Sequence, residues 1–237
     1  MYYGEIMKKE NLKQPMLGLF VVISYFIYSY FQTVPLSLIG INYYNLSMFD
    51  KIVYLMVTEL IYLLILFFIF RKEYIRNFKD YIKNFKTYMP KYMEYWALAF
   101  SLMLISNFII ITLFPNSVAT NQEAINDILV EAPFYMIVSA VIFAPFLEET
   151  IFRLSFRKIF KNDLVFIILS GLVFGGLHVI GSFNNLVDLI YIIPYSIPGI
   201  VFAYTLAKSK NIFIPISLHF FHNGIMMFIQ TVLLFYI

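Results

Sequence analysis

The chain of 237 residues is 61% hydrophobic and only 13% charged, with a formal net charge of +3. Ordinary soluble domains are roughly half apolar and a quarter charged, so this composition excludes a soluble globule and points to an integral membrane protein. No cysteine occurs, which excludes disulfides, thiolate nucleophiles and cysteine-ligated zinc.

A polar head from Tyr2 to Gln14 carries Lys8, Lys9 and Lys13. Leu17 to Ile41 follows as the first span; it is too long for a signal core and lacks a small-residue cleavage site. Pro35 is expected to bend or end it. Ile52 to Phe70 is the second span and contains Glu59, a carboxyl that is neutral, paired within the bundle or facing a cavity. Arg71 to Lys91 interleaves seven Lys and Arg with Tyr74, Ile75, Phe78, Tyr81, Ile82 and Phe85. Apolar residues recurring at three and four predict an amphipathic helix lying on anionic lipid, and no motif supports nucleic-acid binding.

Tyr95 to Phe114 is the third span, closed by Pro115, and Asn116 to Glu131 is a polar, acidic connection. Pro133 opens the fourth span, which carries Pro145, Glu148 and Glu149 and emerges in Arg157, Lys158 and Lys161. The fifth span, Leu164 to Ile180, holds Ser170, Gly171, Gly175 and Gly176, residues small enough for close helix contact. After a turn at Gly181 to Asn185, the sixth span runs from Leu186 to Ala207, with Pro194 and Pro198 predicting a kink or a locally opened helix. Lys208 and Lys210 precede the last span, Ile212 to Ile237.

The expected fold is an all-α polytopic transmembrane bundle of about seven spans, within a range of six to eight. Residues 1–131 supply the head, three less specific spans and the basic segment 71–91. Residues 132–237 supply a four-helix core, and the two parts form one integrated membrane domain. With the N-terminus cytoplasmic, every Lys and Arg except Lys51 falls on inside segments, as the positive-inside rule requires. The C-terminus is then extracellular, and the glutamate pair is expected to be reached from the cytoplasmic half of the membrane.

Charge in an apolar span is costly, so Glu148 and Glu149 are functional-site candidates. All three histidines, His178, His219 and His222, lie in the last sixty residues within or beside apolar spans. His219 and Asn223 are one helical turn apart and share a face. Buried together, these groups find partners most readily in one another. No GxSxG or HExxH motif is present, and neither Ser155 nor Ser170 has an evident base. A carboxylate in a low-dielectric cavity can take a proton from water, an imidazole can orient that water, and a second imidazole with an amide can donate to a developing oxyanion. The same set could hold zinc or another divalent metal through Glu148, His178 and His219, with His222 as a further imidazole. Peptide or amide hydrolysis follows from either version, and a proton or ion relay would use the same residue types.

Three separated motifs carry a resemblance. Glu148-Glu149-Thr150-Ile151-Phe152-Arg153 is EExxxR, Phe174-Gly175-Gly176-Leu177-His178 is FxxxH, and His219-Phe220-Phe221-His222-Asn223 is HxxxN. In this order on successive apolar spans, over about residues 132–230, the chain resembles the CPBP intramembrane proteases. These are the CAAX proteases and bacteriocin-processing enzymes, which include the Rce1-type prenyl-protein endopeptidases. The resemblance implies an intramembrane endopeptidase acting on membrane-associated peptides or proteins. It implies Glu148 as the base that activates water together with His178, and His219 with Asn223 as the oxyanion-stabilising pair. Glu149 is expected to pair with Arg153, which spacing of four places on one helix face, and Phe174 to pack beside His178. Such enzymes are often named metalloproteases, but metal-free water activation is preferred here and no cofactor is favoured.

Two features depart from the family pattern. Leu154 stands where many members have glycine. His222 lies outside the motif and is read as an interhelical hydrogen-bonder or an auxiliary, substrate-facing group. Helical rise places His178 about 10 Å nearer the outer end than Glu148 in an idealised bundle. The alternative functions are a non-catalytic membrane immunity or scaffold protein and a transporter or proton relay. Composition rich in Phe, Tyr, Ile, Asn and Lys, with no cysteine, suggests an AT-rich, Gram-positive genome; a bacterial cell membrane is the expected location, and the resemblance implies bacteriocin immunity or peptide maturation as roles.

Overall fold

The computed structural model describes residues 2–117, 119–180, 183 and 185–236. Among these residues the regular structure is helical throughout. The helices are α1 (Tyr2–Phe31), short α2 (Val34–Leu38), α3 (Met48–Leu113), α4 (Thr120–Glu131), α5 (Pro133–Ile159), α6 (Asp163–Ile180), α7 (Ile192–Ser209) and α8 (Phe213–Tyr236). Six are long and apolar enough to cross a membrane, α7 together with the 3₁₀ turn Leu186–Tyr191 that leads into it. The expected turn at Gly181 to Asn185 lies largely outside the described residues, as does Ile237.

The polar head does not precede the first helix but forms its first turns. Pro35 then has its expected effect: the chain turns at Gln32 and Thr33, and α2 starts with the proline in its first turn. The larger difference is α3. Its 66 residues join the second span, the basic segment and the third span in one helix, roughly 100 Å along its axis against a hydrocarbon core of about 30 Å. Lys, Arg, Tyr and Phe do not break helices, and Ser47, whose hydroxyl accepts from Asp50 N, caps its start.

This long helix folds back on itself. Glu59 accepts from Ser139, Phe100 sets its ring 5.7 Å from that of His222, and Asn223 is bonded to Ala140. On a straight helix Glu59 and Phe100 would stand roughly 60 Å apart, farther than this chain of contacts reaches. The bend lies in the basic segment, which contains Pro90. On its inner side Tyr88 donates to Asp80 and Tyr81 reaches Met89. Its outer side leaves Ile75, Phe78, Ile82 and Phe85 exposed. α3 therefore crosses the bundle twice.

The basic segments meet at one end of the bundle. Lys158 binds Glu73 and Gln14, each at 2.6 Å, and Asn211 donates to Asn77 O and to Asp80. Above this end, Phe70, Ile151, Phe152, Phe166, Ala203 and Ile212 form the main core, with Leu66 and Phe174. α6 and α7 pack at backbone distance, because a Cβ on Gly175 would stand 2.6 Å from Ser196 N and one on Gly171 2.8 Å from Ile200 N.

Candidate active site

Helix α5 carries both glutamates and is wound irregularly around them. Two π segments, Ser139–Phe143 and Glu149–Ser155, interrupt its α-helical hydrogen bonding, a distortion that recurs at functional sites. Hydroxyls take up backbone carbonyls nearby: Ser155 donates to Thr150 O and Ser170 to Phe152 O, at 2.9 and 2.6 Å. Both serines are thereby committed to structure.

Glu149 and Arg153 are fully buried, with Oε2 3.2 Å from Nε. The guanidinium carbon lies 4.4 Å from the ring centre of Phe174 and 5.8 Å from that of Phe202. Arg153 Nη1 and Nη2 have no hydrogen-bond partner among the described residues, so carboxylate and aromatic faces together offset the desolvation of this charge.

The other oxygen of Glu149 meets His219 Nδ1 at 2.8 Å. A carboxylate only accepts, so Nδ1 carries the hydrogen and Nε2 is the basic nitrogen of the neutral ring. Nε2 faces Glu148 Oε2 at 3.7 Å, too long for a hydrogen bond. The imidazole is wedged between Phe202, stacked at 5.1 Å, and the edge of Phe174.

Glu148 is the member of the group that reaches open space. It lines a cavity of about 330 Å³ with Tyr25, Tyr28 and Gln32 of α1, Glu59 of α3 and Ser139 of α5. These residues lie between Glu148 and the C-terminal end of α1, away from the basic end of the bundle. Beyond Glu148 in the other direction, Glu149 through Arg153 are all buried, so the cavity ends at Glu148.

The remaining predicted residues take other positions. His178 fixes its Nδ1 on Phe174 O at 2.8 Å and stacks on Tyr195. It lines a separate, smaller cleft with Ala119, Asn121, Asp188 and Tyr191. His222 sits between the rings of Phe100 and Phe202. Its Nδ1 has no hydrogen-bond partner among the described residues. Asn223 Nδ2 donates to Ala140 O at 2.8 Å. The structure therefore joins Glu148, Glu149, Arg153, Phe174 and His219 in one contact group. Asn223 is tied to α5, and His178 stands one turn beyond Phe174 on its own cleft.

Glu59 is the residue whose place the sequence did not disclose. Both of its oxygens lie 3.1 Å from Ser139 Oγ, and Tyr135 OH is 3.5 Å from Oε1. Its burial in a span was the available signal; its partners lie about eighty positions away.

Among the described residues, no three His, Asp or Glu side chains converge as a metal-binding set. Glu149 is committed to His219 and Arg153, and His178 faces a different cleft from Glu148. In this arrangement Glu148, His178 and His219 do not fit a three-ligand metal site, and no chemical step below is routed through a metal.

Fold and site together define a multi-pass helical membrane protein with a buried carboxylate and imidazole centre. Residues 130–225 match the family described as "Type II CAAX prenyl endopeptidase Rce1-like". The protein named "Putative membrane peptidase YdiL" of Bacillus subtilis (strain 168) is 31% identical over 113 residues, 46% of this chain and 43% of the relative. The "UPF0177 protein YvdC" of Lactococcus lactis subsp. lactis (strain IL1403) is 28% identical over 106 residues, 44% of this chain and 38% of the relative. The chain thus spans less than half the length of these curated relatives. No solved structure matches it significantly.

Proposed function

We propose that the chain is an intramembrane endopeptidase that hydrolyses peptide bonds of membrane-associated proteins or peptides with a water activated by Glu148. One observation carries this reading: within the Rce1-like region, Glu148 stands at the blind end of a cavity, backed by His219, Glu149 and Arg153 in direct succession. Glu148 takes a proton from water, whose oxygen attacks the scissile carbonyl, and returns that proton to the departing nitrogen. Glu149 fixes the tautomer of His219 as the carboxylate of a catalytic triad fixes its histidine. The second amide hydrogen of Asn223 donates to the oxyanion, as does His219 through Nε2 once that nitrogen also carries a proton, and the family resemblance assigns His178 to orient the water. Sequence resemblance assigns these roles, and the His219 geometry is compatible with them.

The bacterial relatives support placement in a bacterial cell membrane, with the basic end, and so the N-terminus, cytoplasmic. The alternation of exposed Ile75, Phe78, Ile82 and Phe85 with Lys79, Lys83 and Lys86 supports seating of the bend on anionic lipid. Peptide maturation or bacteriocin immunity is the accompanying physiological proposal.

The test uses purified protein in liposomes with a quenched fluorescent farnesyl-cysteine peptide and a panel of quenched single-span peptides. Cleavage by the wild type that is lost in Glu148→Ala, His178→Ala and His219→Ala supports the assignment. Equal product from all of them, or none from the wild type, overturns it in favour of a scaffold or immunity protein.

A further inference from the structure

Pro145 has no amide hydrogen, and its position leaves one carbonyl of α5 without a backbone donor. Over Ser139–Phe143 the helix is π-wound, and Ala144 N donates to Ser139 O, five residues back. Continued winding would have residue 145 donate to Ala140 O, and residue 145 is proline. The side chain of Asn223 fills this gap, with Nδ2 2.8 Å from Ala140 O. The asparagine of HxxxN is therefore held by a carbonyl that a proline on another helix has vacated.

The start of the same π segment is fixed from a third helix. Ser139 Oγ is shared between both oxygens of Glu59, at 3.1 Å each, and Tyr135 one turn earlier also points its hydroxyl at Glu59. None of these partners is a cation, so the carboxyl of Glu59 is held by hydroxyl groups of α5. Ser139 and Ala140 are consecutive: a shift of Ser139 moves the carbonyl that holds Asn223.

We propose that Glu59 is a positioning residue for Asn223, acting through Ser139 and the π turn that Pro145 enforces. The proposal rests on the endopeptidase reading above. In the proposed reaction Asn223 uses one amide hydrogen on Ala140 O and offers the other to the oxyanion. Misplacing that donor weakens the transition state without touching substrate binding.

A double-mutant cycle on the same quenched farnesyl-cysteine and single-span peptides tests it. Glu59→Ala and Ser139→Ala are each expected to lower kcat about tenfold or more with KM within about twofold. Glu59→Gln, which keeps an acceptor for Ser139, recovers much of the loss. In the background of Asn223→Ala, adding Glu59→Ala or Ser139→Ala produces little further loss, because the group they position is gone. Ser139→Ala keeps every charge in place and stands in should Glu59→Ala fail to fold. Additive effects with Asn223→Ala, or a rise in KM at constant kcat, would overturn the proposal, the latter marking Glu59 as a cavity group that contacts substrate. Absence of wild-type cleavage defeats the endopeptidase reading itself, whereas cleavage with an additive cycle defeats only the positioning role.

Discussion

His219 is held by Glu149 at 2.8 Å through Nδ1 and turns its opposite nitrogen towards Glu148. The two adjacent glutamates therefore sit in unlike surroundings: Glu149 is sealed between a histidine and an arginine, and Glu148 borders the cavity. Glu148→Gln keeps the shape of the side chain and breaks one long contact. It is expected to lower cleavage at least about a hundredfold while leaving the unfolding midpoint in detergent unchanged. A large drop in midpoint would assign Glu148 to structure.

Glu149 and Arg153 carry the opposite expectation. Removing either one leaves the other charge buried without compensation, at a cost of about 3–5 kcal/mol. Glu149→Leu or Arg153→Met alone should reduce the yield of folded protein sharply. The double variant Glu149→Leu with Arg153→Met should unfold at a higher temperature than either single one, since no unpaired charge remains. It should still be inactive, because His219 has lost its orienting carboxylate. Thermal unfolding and peptide cleavage, measured on the same preparations, check both parts.

Much of this arrangement could be read in the sequence, for reasons that set the limits of such reading. Hydropathy marks the crossing segments because lipid demands long apolar helices, and spacing of four brings Glu149 to Arg153 because helix geometry is local. The bend of α3 is only partly marked: Pro90 lies in Arg71 to Lys91, but the rest of that segment is as fit for a helix as its neighbours, and the direction of the turn back goes with contacts to Lys158 and Asn211. The Glu149 to His219 bond and the Glu59 to Ser139 bond join residues about seventy and eighty positions apart, so neither partner points to the other in the sequence. The π turn is an intermediate case. Pro145 signals disturbance in α5, but only the packing of α8 shows that Asn223 occupies the vacated carbonyl.

The glycines of α6 allow a graded test of helix contact. A Cβ at Gly175 meets backbone atoms of Ser196, with N at 2.6 Å and Cα at 2.8 Å, and one at Gly171 meets Ile200 N at 2.8 Å. Backbone cannot rotate away, so Gly175→Ala and Gly171→Ala should each cost about 1–3 kcal/mol or more. They should also lower activity by moving His178, which lies on the same helix. At Gly176 the nearest atom is the end of Ile180, Cδ1 at 3.4 Å, so Gly176→Ala should be tolerated. Equal unfolding midpoints for all three variants would show that α6 and α7 are not locked at backbone distance.

Asn211 fastens the bend of α3 to the turn between α7 and α8. It is almost fully buried, donates to Asn77 O at 2.8 Å and to Asp80 Oδ2 at 2.7 Å, and sits beside Ile212, whose amide donates to Asn77 Oδ1. Asn211→Ala leaves a carbonyl and a carboxylate without this donor, at a cost of about 1–3 kcal/mol. Hydrogen exchange should then accelerate across 71–91 more than across α5 or α6. Asn211→Asp has a more specific outcome. It sets a second carboxylate against Asp80, so repulsion should add to the lost hydrogen bonds at neutral pH. Lowering the pH protonates one of the two acids and restores a donor, so part of the lost stability should return in acid. Wild-type protein has one carboxylate at this point and should show no such recovery. A parallel acid response in wild type and Asn211→Asp would mean that Asn211 does not contact Asp80 in the membrane.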